Sequence, residues 1–163
     1  MSRSARFRRI SIKRPKKSKR PSGSRPSASG AKPLESRVLF LDRSIDGNVL
    51  ANELRVRGLT VVRHKERFQH DVGDVEWLTV AGREGWIVLT RDKNIRLREI
   101  ERNALISAKV AAFVFTGGNA SGIETTETIV AVLPKMDRFL ARNLPPFICR
   151  ITASGLVELL LRV

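Results

Sequence analysis

The chain has 163 residues, 42% hydrophobic and 29% charged, with a formal net charge of +15. That length supports one domain with a real core and hardly two. A single cysteine, Cys149, excludes an internal disulfide and a cysteine-rich zinc site, and no apolar run is long enough to cross a membrane.

The charge is uneven. Residues 1–33 hold twelve Lys and Arg and no acid, so residues 34–163 hold the other nineteen basic residues and all sixteen acids, about +3. The first segment is rich in Ser, Pro and Gly and cannot bury enough surface to offset its ordering entropy. It is predicted to be a disordered basic arm. Such an arm is a solvated tail and, compatibly with that, is expected to contribute to RNA affinity through nonspecific phosphate neutralisation. It has charge without the apolar segment of a secretory signal and lacks the amphipathic face of a transit peptide. The lack of disulfides fits a reducing cytoplasm. Cys149 lies in the apolar run Phe147-Ile148-Cys149 and reads as a buried, inert thiol.

From Leu34 the pattern alternates strand and helix. Arg37–Leu41 reads as the first strand, Asp46–Arg57 as a helix closed by Gly58, and Leu59–Arg63 as the second strand. A loop with His64 and His70 leads to a helix over Val75–Glu84, then a strand over Trp86–Thr90. A helix over Lys93–Ile106 places Leu97, Ile100 and Ala104 on one face. A strand at Val110–Phe115 and the loop Thr116–Gly122 precede a long helix, Ile123–Arg142, which Pro134 is expected to kink or split. Phe147–Thr152 and Gly155–Leu161 read as final strands. This order predicts an α/β fold, a mainly parallel sheet with helices on both faces.

Three aspartates fall at the ends of these elements. Asp42 follows the apolar strand Val38-Leu39-Phe40-Leu41, Asp74 opens the helix beginning Val75-Glu76-Trp77-Leu78, and Asp92 follows Ile87-Val88-Leu89-Thr90-Arg91. Each is also a good turn or helix-capping residue. Together they map to one sheet edge, where open α/β sheets bind ligands. Carboxylates converging there need a neutralising hard cation, Mg²⁺ or Mn²⁺. Glu53 borders the apolar stripe of the first helix and could reach the cluster from the side. Glu76 is a second candidate ligand or a dipole-favoured surface residue. Thr90 could bond an aspartate. Arg43, Arg91, Lys93, Arg96 and Arg98 flank the edge, as a phosphate-backbone substrate requires. His64 and His70 show no zinc spacing, and the glycine-rich Thr116–Gly122 lacks the ending of a P-loop. Trp77 and Trp86 read as packing residues.

The segments Phe40-Leu41-Asp42-Arg43-Ser44, Asp74-Val75-Glu76-Trp77-Leu78 and Gly85-Trp86-Ile87-Val88-Leu89-Thr90-Arg91-Asp92-Lys93 resemble PIN-like domains, specifically the compact VapC-type toxin branch. The resemblance covers about Val38 to Thr152. It implies a three-layer sandwich and Mg²⁺- or Mn²⁺-dependent endoribonuclease activity. Asp42, Asp74 and Asp92 would be the metal-binding, catalytic acids. It also implies a small antitoxin as partner and leaves room for a homodimer. Many relatives carry a further acid where this chain has Asn94, which leaves Glu53 or Glu76 to complete the set. Two other readings are open: a noncatalytic PIN-like RNA-binding module, and a receiver-like phosphoacceptor domain. The receiver lacks its acid pair and late lysine here.

Overall fold

A computed structural model describes residues 32–162. The expected arm lies outside the described residues, apart from Lys32 and Pro33, which are exposed. Four short apolar runs become the buried parallel strands β1 (Val38–Leu41), β3 (Ile87–Thr90), β4 (Ala111–Phe115) and β5 (Phe147–Ile151). β2 (Thr60–Arg63) and β6 (Val157–Arg162) form the edges. The sheet order is β2-β1-β3-β4-β5-β6, parallel throughout except for β6. An α/β sandwich with a mainly parallel sheet is therefore the fold, as expected.

The pleat sorts the core into two layers. Leu39, Leu41, Ile87, Leu89, Phe113, Phe147 and Cys149 face one side, where α1 (Asn48–Val56) and α5 (Gly122–Arg142) cover them with Leu50, Leu54, Ile129, Val132 and Met136. Phe40, Val88, Ala112, Val114 and Ile148 face the other, under α3 (Asp74–Arg83) and α4 (Glu99–Ser107) with Trp77, Leu78, Ala81 and Leu105. Both tryptophans pack as expected, each stacked on Phe40 at 5.3 and 5.5 Å between ring centres. Cys149 is fully buried, and burial pushes its thiol pKa up to about 12.

Three local expectations are corrected. The helix over Lys93–Ile106 is two pieces, a 3₁₀ turn at Lys93–Arg96 and then α4. Asp92 caps the turn by accepting from Asn94 N at 2.9 Å. Leu97 and Ile100 are consequently 60% and 74% exposed, and Ile95 and Leu105 are buried in their place. His64 is not in a loop: it starts the short helix α2 (His64–Arg67) and is buried between Phe40 and Phe68. Pro134 does not split α5, which runs unbroken. It sits on the exposed side of the helix, where the carbonyl it leaves unpaired can be hydrated.

The chain passes from β1 to β2 on one side and then returns to lay β3 against the other side of β1. The winding reverses between β1 and β3. In open α/β sheets the crevice outside the carboxyl ends of the strands at such a reversal is the ligand-binding position. Asp42 leaves β1 there and Thr90 ends β3 there.

Candidate metal and nucleic-acid site

The strand ends are tied together by hydroxyls. Asp42 is buried, and its Oδ2 accepts from Thr90 Oγ1 at 2.8 Å and from Ser44 Oγ at 2.6 Å. Thr90 Oγ1 accepts in turn from Asp92 N at 3.0 Å, and Ser44 Oγ from Arg91 N at 2.9 Å. A strand-end threonine therefore sets the position of the aspartate two residues later as well as that of Asp42. The other oxygen of Asp42, Oδ1, accepts no hydrogen bond among the described residues.

Asp74 does not cap its helix. Gly73 precedes the first turn, and no side chain caps it. Asp74 instead accepts on Oδ1 from Trp77 Nε1 at 2.8 Å and from Arg43 Nη2 at 3.0 Å. Arg43 also donates to the carbonyl of His70 at 2.6 Å, which fixes the loop before α3. The indole and the guanidinium together hold the Asp74 carboxylate toward α4.

Ligand atoms of Asp74, Asp92 and Glu101 lie within 4.8 Å of one another, all three residues half-buried. Two of these were expected and Glu101 was not. Asp42 lies on the same edge but outside this group. Arg98 stands among the three acids: its Nη1 is 2.9 Å from Asp92 Oδ2, 2.7 Å from Glu101 Oε2 and 3.8 Å from Asp74 Oδ2. The bond to Glu101, followed by the charge of Asp92, raises its pKa further above an ordinary arginine's. A cation is therefore already placed among three hard oxygen donors. That donor chemistry fits Mg²⁺ or Mn²⁺.

The other expected residues divide. Glu53 pairs with Arg57 one turn along α1 at 2.7 Å. Glu76 is exposed in the first turn of α3. Asn94 reaches Asp92 through its backbone N–H. Lys93 and Arg96 are exposed and make no ion pair among the described residues. Arg91 turns away from the acids: its Nη2 donates to the carbonyls of Gly118 at 2.8 Å and Ala120 at 3.2 Å, with the guanidinium 5.5 Å from the Phe115 ring centre. It thereby pins the glycine-rich loop to the end of β3.

His64, expected in a loop without a role, is buried at the carboxyl end of β2 with Nε2 unpartnered. Burial first, and then the Arg43 charge, lower its pKa below 6.5.

Residues 38–117 match the family model described as PIN like domain. That span runs from β1 to the end of β4 and includes Asp42, Asp74, Asp92 and Glu101. Over 126 residues, 75% of this chain and 91% of the other, the sequence is 25% identical to the protein of Mycobacterium tuberculosis (strain ATCC 25618 / H37Rv) named "Putative ribonuclease VapC45". No solved structure matches.

Proposed function

We propose that this chain, which belongs to the PIN-like domain family, is a metal-dependent endoribonuclease of the VapC type that hydrolyses RNA phosphodiester bonds. The observation that carries the reading is the meeting of Asp74, Asp92 and Glu101 around a cation at the carboxyl edge. Asp74, Asp92 and Glu101 would hold Mg²⁺ or Mn²⁺, with Asp42 beside them, and the bound ion supplies charge stabilisation at phosphorus and a more acidic water. Ser44 and Thr90 fix Asp42 through Oδ2, which leaves Oδ1 free to accept a proton or a ligand. Arg43 and Trp77 orient Asp74. Lys93 and Arg96, exposed beside the site, would meet backbone phosphates. The N-terminal arm would add sequence-independent, salt-sensitive affinity.

A partner protein is the second element of the proposal. Val75, Leu97 and Ile100 are exposed on the segments that carry Asp74, Asp92 and Glu101. An apolar rim on a charged site suits a small antitoxin laid across it. The noncatalytic RNA-binding module is the competing reading, supported by Arg98 already offsetting part of the acids' charge without a metal.

One experiment separates the two. RNA cleavage is measured in Mn²⁺ and in EDTA, for the full chain and for Asp92→Asn. The nuclease reading expects cleavage in Mn²⁺ only, and its loss in the variant. RNA binding with no cleavage under any condition would leave the binding module standing.

A further inference from the structure

α5 sorts its charges by flank. Its buried side carries Ile129, Val132, Met136 and Leu140. Asp137 lies on one flank, where its Oδ1 accepts from Leu34 N–H at 2.8 Å. On the other flank Lys135, Arg138 and Arg142 follow at i, i+3 and i+7, all exposed and within about 10 Å along the axis. They line a groove of about 390 Å³ between α5 and the start of β6, beside Phe139, Leu156 and Val157. None of its described lining residues is acidic. The pair of Arg150 with Glu158 lies on the opposite face of the sheet, since Arg150 is in register with Val114 of the α3/α4 layer.

The three cations lack a counter-charge. Lys135 Nζ donates to the carbonyl of Gly155 at 2.6 Å, and none of the three makes an ion pair among the described residues. The helix dipole favours cations over the last turn only, which accounts for Arg142 and not for Lys135 or Arg138. Like charges three and four residues apart repel, so an anion from outside the chain is what this flank would gain from.

Its place in the fold adds to the charge. α5 starts after β4 at the carboxyl edge and ends before β5, so Arg138 and Arg142 lie toward the amino edge of the sheet. Leu34 leads into β1 at that same edge, held against the other flank of α5. The twelve Lys and Arg of residues 1–33 therefore join the fold about one helix width, roughly 10 Å, from the groove. Like charge disfavours that segment as the occupant. A repeating polyanion suits cations spread along a helix beside a basic segment.

We infer that this groove is a second RNA-contact surface: Lys135, Arg138 and Arg142 hold the phosphate backbone of a substrate segment remote from the one cut at the acidic cluster. The inference rests on the RNA-substrate reading above. The groove and the cluster lie roughly 25–30 Å apart by the rise of α5 and the strand spacing. Glu124 and Glu127 stand between them on the same flank, lining a neighbouring groove. The RNA therefore does not run along α5 from one to the other. It meets the groove as a separate segment of a molecule long enough to reach both.

The test is binding of a labelled hairpin RNA with single-stranded flanks to the full chain in EDTA, read as affinity against salt, with Mn²⁺-dependent cleavage by the unaltered chain measured in parallel. Arg138→Gln combined with Arg142→Gln removes two charges and keeps good helix formers. Affinity should fall about tenfold at about 0.1 M salt, and the slope of log affinity against log salt should flatten by about 1.5. The melting temperature should hold or rise, because a like-charged pair is removed. Arg83→Gln combined with Lys109→Gln makes the same charge change among exposed residues of the α3/α4 face, and it should lower affinity far less. Unchanged affinity and slope in the groove variant, or an equal loss in the control, overturns the inference and leaves the nuclease reading intact if the unaltered chain cleaves. A loss confined to the groove variant, with no cleavage by the unaltered chain, upholds the surface and sinks the nuclease reading. Polyglutamate is the second probe. If the groove variant binds it more weakly than the unaltered chain while RNA affinity is the same for both, the groove takes an acidic protein segment and the RNA assignment is overturned.

Discussion

Arg98 donates from Nη1 to Asp92 Oδ2 at 2.9 Å, and the same nitrogen serves Glu101 at 2.7 Å. The guanidinium stands where the acids would hold a metal, so the two cations cannot share the position. Arg98 would have to swing aside for an ion to bind, and at the mouth of the site it would then face substrate phosphate.

The first prediction follows from that competition. In EDTA, Arg98→Ala leaves Asp74, Asp92 and Glu101 without their central cation. Because Arg98 is about half-exposed, the loss should be modest, about 0.5–1 kcal/mol. Mn²⁺ should restore it, giving the variant a larger metal-induced rise in melting temperature than the unaltered chain. An equal rise in both proteins would mean that Arg98 and the ion do not compete.

The second prediction ranks the acids. Asp92→Asn and Glu101→Gln keep volume and remove a charge. Cleavage should fall by at least about 100-fold, since even residues outside the metal's ligand set cost up to that factor. Stability in EDTA should change by less than about 1 kcal/mol, because the relief of like charge offsets the lost pair with Arg98. A purely capping Asp92 would tolerate asparagine with activity intact, as Asn caps about as well as Asp. Asp42→Asn tests whether the acid outside the 4.8 Å group also matters, read as its effect on Mn²⁺ affinity relative to Glu101→Gln.

Much of the frame can be read from local chemistry. Runs such as Val38–Leu41 and Ile87–Thr90 bury on both faces of a parallel sheet, and only strands of that kind lack alternation. An acid after such a run sits on the carboxyl edge by topology alone. Glu101 is not legible in this way. A continuous helix from Lys93 puts Leu97, Ile100, Glu101 and Ala104 on one stripe, which the three apolar members give the look of a core face. The carboxylate in that stripe was the available signal that the face is not core. The break at Leu97–Arg98, between the 3₁₀ turn and α4, is not revealed by propensity. His64 is invisible to spacing rules, because its burial depends on Phe40 of β1, distant in sequence, as well as on Phe68 one turn later.

The third prediction concerns how α3 and α4 hold Asp74 near Glu101. A Cβ on Gly82 would fall 2.1 Å from Ala108 O and 2.6 Å from its Cβ. These are backbone and near-backbone atoms, so the helices would have to separate. Gly82→Ala should cost about 1–3 kcal/mol despite alanine's better helix propensity. It should weaken Mn²⁺ binding too, since Glu101 lies on the displaced helix. A gain in stability on denaturant unfolding would show that the two helices have room to give.

The fourth prediction is a pH dependence of stability from His64. Burial and then Arg43 lower its pKa from 6.5, outweighing the opposite pull of Asp42, Asp74 and Asp46. In the unfolded chain the imidazole protonates near 6.5, while the folded chain resists until the pH is lower. The unfolded state therefore binds more protons in that window, and stability must rise with pH across it. Acidification from about pH 7.5 to about pH 5.5 should lower the unfolding free energy, and the fall should level off once the folded imidazole also protonates. His64→Phe removes the titrating group and fills the same space between Phe40 and Phe68 without an unpartnered nitrogen. Its stability should vary much less with pH in this window and, near neutral pH, lie within about 1.5 kcal/mol of the unaltered chain. Denaturant unfolding at a series of pH values decides it: a slope that survives in His64→Phe would assign the titration to another group.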